Sequence, residues 1–403
     1  MQRSLLLPHI PTLPSDSGVA LFRKGFRPFF LLAALHALAF VPLWLAVLHG
    51  SFAPHPYWTP AVWHAHEMLS GFATAVIAGF LLTAVGNWTQ RETATGGALM
   101  ALVVLWLAGR AAIFFADSLP RATPALVDLA FLPALMVTLA RPLLASQNKR
   151  NFVMLAVLGA LFATNLVTHL EALAVLGGGV GRRGNLVAVD IIVLLISIIA
   201  GRVLPLFTRN ATHVETIRSI AWLDRASIAA LLVTCLHDAL RGPDTRLAGL
   251  LAGAAGLLTG ARALHWGARH TRRDPLLWIL HVGYGWLVLG LLLRGASLLL
   301  GPPLASMATH ALTVGAIGTL TLGMMARVAL GHTGHMLAAP APMTAAFVAI
   351  TLAALIRTGA PLFPAHYLTA LVAAGVFWTL AFLIFLLTYS PLLLRPRIDG
   401  RPG

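Results

Sequence analysis

Long apolar runs, separated by short polar or Pro/Gly-rich breaks, pattern the chain from end to end. A helix that crosses a bilayer needs roughly 20 apolar residues. Twelve segments approach that length: residues 29–49, 62–85, 96–116, 124–145, 151–176, 185–208, 221–241, 246–266, 275–300, 304–330, 341–358 and 366–390. The breaks include "APHPYWTP" (53–60), "LGGGVGRRGN" (176–185), "GPP" (301–303) and "APAP" (339–342). No loop is long enough for a soluble domain, and no internal repeat stands out. The pattern predicts an all-α, polytopic membrane helix bundle of about 12 transmembrane helices. Residues 1–403 would form a single transmembrane domain with short tails, about 1–27 and 391–403. The first twenty residues lack an apolar stretch and a small-residue cleavage site, so the first span reads as an uncleaved anchor.

Basic residues set the orientation. With the N-terminus inside, sixteen of the 28 Lys and Arg fall in cytoplasmic segments and five outside. The positive-inside rule then puts both termini in the cytoplasm, with an even number of spans.

Composition agrees with a membrane chain: 58% of the 403 residues are apolar and only 10% are charged. Mean hydropathy is +0.84. The net charge of +15 does not imply nucleic acid, because no basic domain outside the spans is available to grip a phosphate backbone. A single cysteine, Cys235, excludes an intrachain disulfide and a four-thiolate iron–sulfur cluster. No C-x-x-C-H occurs, so a haem would not be attached by the c-type route.

The chemistry lies in the sixteen histidines, which stand against two lysines. His49, His55, His64, His66, His169, His237, His310 and His366 fall near the outer side. His36, His213, His265, His270, His281, His332 and His335 fall nearer the cytoplasm. Each helical residue turns about 100°, so His64 and His66 point to nearly opposite faces. They serve two sites on either side of the span, or converge if the helix end is unwound, or form an interfacial polar cap. Glu67, three residues after His64, shares its face and is placed to orient it or relay a proton. Asn165 and His169 sit at i,i+4 in the fifth span, with Glu171 following. His64, His66, His169 and His310 therefore share one depth on three helices. That arrangement suits a haem or copper site in the outer half, since neutral imidazoles converging in a bundle are what such a site needs.

In the inner half, His281 and Tyr284 share a face and could meet His332, as a second site or a proton route. Arg27 and Arg202 could hold an anion or a haem propionate, or snorkel to lipid phosphate. Met324 and Met325 read as packing. No nucleotide loop, nucleophile elbow or catalytic carboxylate pair appears.

Four stretches, "FRKGFRPFFLLAALHA", "WHAHEMLSGFATAVIAGFLLTAVGNWT", "GRVLPLFTRN" and "RVALGHTGH", resemble in this order the segments of the NnrS family. The likeness runs nearly end to end. It implies a bacterial inner-membrane protein containing non-covalent b-type haem and copper, linked to denitrification and to the nitric oxide response. The family positions are His64, His66, Glu67, His169, His281, His310 and His332, with Arg27 and Arg202 in their motifs. Two positions depart from the pattern: Gln90 stands where glycine usually follows "NWT", and His335 where arginine often follows "GHTG". On this reading His64, His66, His169 and His310 hold metal; Arg27, Arg202, His281 and His332 hold cofactor; Glu67 and Tyr284 serve the chemistry. The partners would be nitric oxide or a related small ligand, the lipid bilayer and an electron donor that the sequence does not identify. Two other classes stay open: a 12-span secondary transporter using Glu67, Asp190, Arg202 and Arg327, and a haem or nitric oxide sensor or assembly protein without turnover.

Overall fold

The computed structural model describes residues 19–53, 57–146 and 149–401. Arg3, His55 and the first eighteen residues of the N-terminal tail lie outside the described residues. Hydrocarbon offers no partner for backbone N–H and C=O, so a spanning chain satisfies them within helices. Most of the described residues are helical, and none of them forms a strand. Eleven are long and apolar enough to span: α1 (Phe26–Leu48), α2 (Pro60–Thr89), α3 (Gly96–Phe114), α4 (Thr123–Ala145), α5 (Lys149–Ala172) and α6 (Val180–Thr212), then α8 (Arg246–Trp266), α9 (Pro275–Ser297), α10 (Pro303–His332), α11 (Ala341–Leu362) and α12 (Pro364–Leu394). Between them, α7 (Ala221–Arg241) falls where the seventh span is expected. It is less apolar because Asp224, Arg225, Asp238 and Arg241 interrupt it.

The burial pattern ranks the helices. In α2, α6 and α10, 78%, 61% and 72% of the apolar window is buried, more than in any other span, so these three form the centre. Around them, α7 packs on α8, α8 on α9, and α12 on both α1 and α11. Small residues allow close approach where lipid supplies no hydrophobic drive between helices. On α8, Gly253 faces Gly295 of α9 so closely that a Cβ on Gly295 would meet the Gly253 Cα at 2.9 Å.

Arginines close several helix ends by donating to terminal carbonyls. Arg27, fully buried in the first turn of α1, donates to the Leu392, Leu393 and Arg395 carbonyls at 3.2, 2.9 and 2.7 Å, fixing the end of α12. Arg121 donates to Ala172 O at 2.7 Å and so caps α5, and Arg397 donates to His332 O at 2.9 Å at the end of α10.

Two central helices are not regular throughout. Glu67–Ala73 in α2 and Ala311–Gly318 in α10 are π-helical, each directly after a histidine. Such widened turns are rare and often mark functional sites. In α2 they turn carbonyls toward side chains: Glu67 O accepts from His36 Nε2 at 3.1 Å, and Gly71 O from Trp106 Nε1 at 3.2 Å. Gly71 is required here, since a Cβ would stand 2.8 Å from His36 Nε2 and 3.1 Å from an Arg110 nitrogen.

Candidate metal centre

Five helices meet at one knot of buried charge. Asp128, in α4, occupies its middle. One oxygen, Oδ1, accepts from Arg110 Nη2 of α3. The other, Oδ2, accepts from Asn165 Nδ2 at 2.7 Å and from His169 Nε2 at 3.0 Å, both on α5, and lies 3.3 Å from His66 Nε2 of α2. Arg110 Nη1 donates to Glu67 Oε1 at 2.6 Å. Glu67 Oε1 is also 3.1 Å from His66 Nδ1, and Oε2 is 3.6 Å from His36 Nε2 of α1. His66 and His169 are wholly buried, and Glu67 and Asp128 nearly so.

An aromatic roof covers the knot. The Trp58 ring centroid lies 4.3 Å from that of His66 and 4.9 Å from that of His169, and its Nε1 donates to Thr168 O at 3.0 Å. Tyr57 OH meets His169 Nδ1 at 2.9 Å. Burial pushes the Tyr57 hydroxyl up to about 12, so it keeps its proton at neutral pH.

The donor set fits a cation. A neutral imidazole has one N–H donor and one acceptor. Both nitrogens of His66 face acceptor oxygens: Glu67 Oε1 at Nδ1, and Asn165 Oδ1 (2.8 Å) with Asp128 Oδ2 at Nε2. A second positive charge resolves this, either a proton on the ring or a metal ion on its Nε2 side. Charge arithmetic agrees, since Glu67 and Asp128 against Arg110 leave one negative charge. Ligand atoms of His66, Asp128 and His169 all lie within 4.8 Å of one another. Each histidine keeps its other nitrogen on a fixed partner, Glu67 or Tyr57, as metal-bound histidines usually do. Nitrogen and carboxylate oxygen together suit copper, iron or zinc.

The chain belongs to the NnrS family. The family model, NnrS protein, matches residues 20–397, nearly the whole chain. At family level, membership links this membrane protein to the nitric oxide response and to metal and haem binding. Among curated proteins, none matches it.

Within this NnrS chain, the outer histidines do not share one pocket as expected. His66 and His169 meet at Asp128, whereas His64 turns to the other side of α2, as the 100° step requires. There it stacks on Trp44 (centroids 4.3 Å apart, planes at 14°), and its buried Nδ1 has no hydrogen-bond partner among the described residues. His310 is close enough to interact electrostatically with His64, and Arg357 acts on both. Its Nδ1 donates to Ser306 O at 2.8 Å, leaving Nε2 for a ligand. Glu67 contacts His66, the adjacent residue, rather than His64, because the π-helical turn starts at Glu67 itself.

The inner residues do not converge either. His281 Nε2 pairs with Thr208 Oγ1 at 2.9 Å. Tyr284 OH accepts from Arg262 Nε at 2.9 Å and lies 3.3 Å from Ser197 Oγ. His332 packs on Phe26, with ring centroids 5.6 Å apart. Arg202 donates to Asn151 Oδ1 at 3.0 Å, and Arg27 is spent on the end of α12. Glu171 accepts from the Gly179 and Gly181 amides, outside the knot. His335 pairs with Thr333 at 2.8 Å, within its own turn.

Sequence reasoning missed Asp128, Arg110, Tyr57 and Trp58, and it grouped His36 with the inner histidines although the ring meets Glu67. A signal existed for the first two: an ionisable residue inside an apolar span marks a site by default, and both interrupt such runs.

Proposed function

We propose that this chain is a bacterial inner-membrane protein that binds or processes nitric oxide, in denitrification or in defence against nitrosative stress. A transition metal, copper by family, would sit on His66, Asp128 and His169. Haem, where present, would take ligands from His64 and His310, whose Nδ1 and Nε2 atoms are left for coordination. When bound, these groups supply an open coordination position for a small diatomic. The protein's own part is to hold and exclude. Tyr57 and Glu67 fix the two metal-facing rings, Arg110 balances their carboxylates, and Trp58 shuts out water. The single observation that carries this reading is the pair of acceptors on both sides of His66, which asks for a cation at its Nε2.

An apolar space among the central helices supports it. An apolar cavity of about 90 Å³ lies between α1, α2, α6 and α10, lined by Phe30, Ile77, Ile196, Ile317, Leu320 and Met324 among others. Apolar cavities of this kind stay empty of water and accept small neutral guests.

The test is a metal analysis and absorption spectrum of the purified full-length chain, before and after nitric oxide. The expected result is bound copper and a haem band that nitric oxide shifts. His66→Ala and His169→Ala would lower copper, and His310→Ala would lower haem. Protein that folds yet purifies without either would reject the proposal.

A further inference from the structure

A second buried ionic knot lies apart from the first, where α6, α7 and α9 meet. Arg294 Nη1 donates to Asp190 Oδ1 at 2.8 Å, and its Nη2 donates to Asp238 Oδ2. Asp190 is 6% exposed and Asp238 0%, so neither carboxyl group can be screened by water. Bound to the two terminal nitrogens of one guanidinium, the two carboxyl groups are held side by side. Among the described residues, no donor reaches Asp190 Oδ2.

Carboxylate oxygens only accept hydrogen bonds. Two carboxylates sharing one guanidinium in a dry interior repel each other, and a proton between them removes that repulsion. The charge count points the same way, since two carboxylates against one guanidinium leave an uncompensated negative charge, which membrane interiors strongly disfavour. Arg294, Asp238 and Cys235 are the titratable neighbours of Asp190.

His237 does not have to supply the missing charge. Its Nδ1 lies 3.2 Å from Asp238 Oδ1, and its Nε2 lies 3.3 Å from Thr245 Oγ1. The Thr245 hydroxyl already accepts from Ala248 N, so its own proton is free to point at Nε2. A neutral ring, protonated at Nδ1, therefore satisfies both contacts. Thr245 caps α8 in the loop that the arginine distribution assigns to the outside.

We propose that Asp190 and Asp238 form a membrane-buried proton-binding site. One proton bridges the two carboxyl groups, Arg294 balances the remaining charge, and His237 exchanges that proton with the outer end of the bundle. On uptake, the Nδ1–H bond of His237 breaks and an O–H bond forms on Asp238. Nε2 takes a proton from solvent on the Thr245 side, so the imidazole ends neutral as the other tautomer. Release runs the same steps backwards. The site needs no metal and does not depend on the nitric oxide reading.

Infrared difference spectra of the full chain in lipid nanodiscs, recorded on exchange from H2O to D2O, test this directly. The expected result is a carbonyl-stretch band of a buried protonated carboxyl that shifts on deuteration. Asp190→Asn and Asp238→Asn should each remove it, because the remaining carboxylate pairs with Arg294 as an ion. Asp190→Glu should move the band without abolishing it, and His237→Ala should keep the band but slow its deuterium shift. A wild-type spectrum without such a band overturns the proposal even if no variant folds. Survival of the band in both Asn variants, or unchanged exchange in His237→Ala, overturns it too.

Discussion

Replacing Asp128 with asparagine tests whether the first knot acts as one network. The carboxylate accepts from Arg110, Asn165 and His169, the last two at 2.7 and 3.0 Å. Asparagine keeps the shape but offers one acceptor and one NH2. With its carbonyl toward Asn165 and His169, its NH2 points at the Arg110 guanidinium. With the reverse orientation, two buried donors lose their acceptor. Both orientations leave Arg110 with Glu67 as its only anion. Removing one member of a buried ion pair costs about 3–5 kcal/mol, and side-chain exposure here is 4% for Asp128 and 11% for Arg110, too low for solvent to reduce that figure much. We therefore expect Asp128→Asn to destabilise the protein by about 3–5 kcal/mol, read from unfolding in mixed detergent micelles by tryptophan fluorescence. Combined with Arg110→Met, the two losses should fall short of their sum by about 0.5–3 kcal/mol. Copper content should fall in parallel, because the same oxygen would serve as a ligand in the proposed site. A loss below about 1 kcal/mol, the range of exposed pairs, with additive effects in the double variant, would refute the argument that these charges form one buried network.

Other outcomes follow from single contacts. Tyr57→Phe frees His169 Nδ1 without touching a ligand, and should weaken metal binding about 10- to 100-fold in a chelator competition. Unchanged affinity would show that the hydroxyl orients nothing. Gly295→Leu forces α9 off α8 at the Gly253 crossing, where even a Cβ would stand 2.9 Å from the Gly253 Cα, and should cost about 1–3 kcal/mol in the same unfolding assay; wild-type stability would mean the helices are not in close contact. At the C-terminus, Asp399 pairs with Arg397 at 2.9 and 2.6 Å, and the Ile398 amide donates to Thr333 O at 3.2 Å. Hydrogen bonding from Arg397 holds the Asp399 carboxyl well below the usual carboxylate range. A depressed value means the stabilisation is present above the ordinary carboxylate value of about 3.9 and is lost as pH falls through the lower folded value. The Ile398 amide should thus exchange more slowly in wild type than in Asp399→Asn at neutral pH, and the difference should vanish in strong acid. Equal exchange at neutral pH would dispose of the idea.

The helices were legible because lipid imposes its own length rule, and each predicted span falls on a helix, including α7 with its four charges. The opposed faces of His64 and His66 were legible too, from the helical turn alone. The partners of those rings were not. Asp128 and Arg110 each sit singly in an apolar run, and nothing in local spacing ties residue 128 to residues 66, 110 and 169. That link exists only after four helices pack. Arg27 shows the same limit in reverse. A cation at a span's start reads as a ligand for anions or lipid, yet it spends its donors on carbonyls some 365 residues away. Charge counting recovers part of what spacing cannot. Arg110 and Arg294 each sit between two buried carboxylates, and each knot is left one positive charge short. In the first, the acceptors converge on imidazole nitrogens, which can bind a metal. In the second, two carboxyl groups share one guanidinium with no imidazole ligand pair between them, and a proton suffices to offset the remaining charge. The same deficit therefore assigns different cations to the two places, and the deciding variable is which atoms surround the gap.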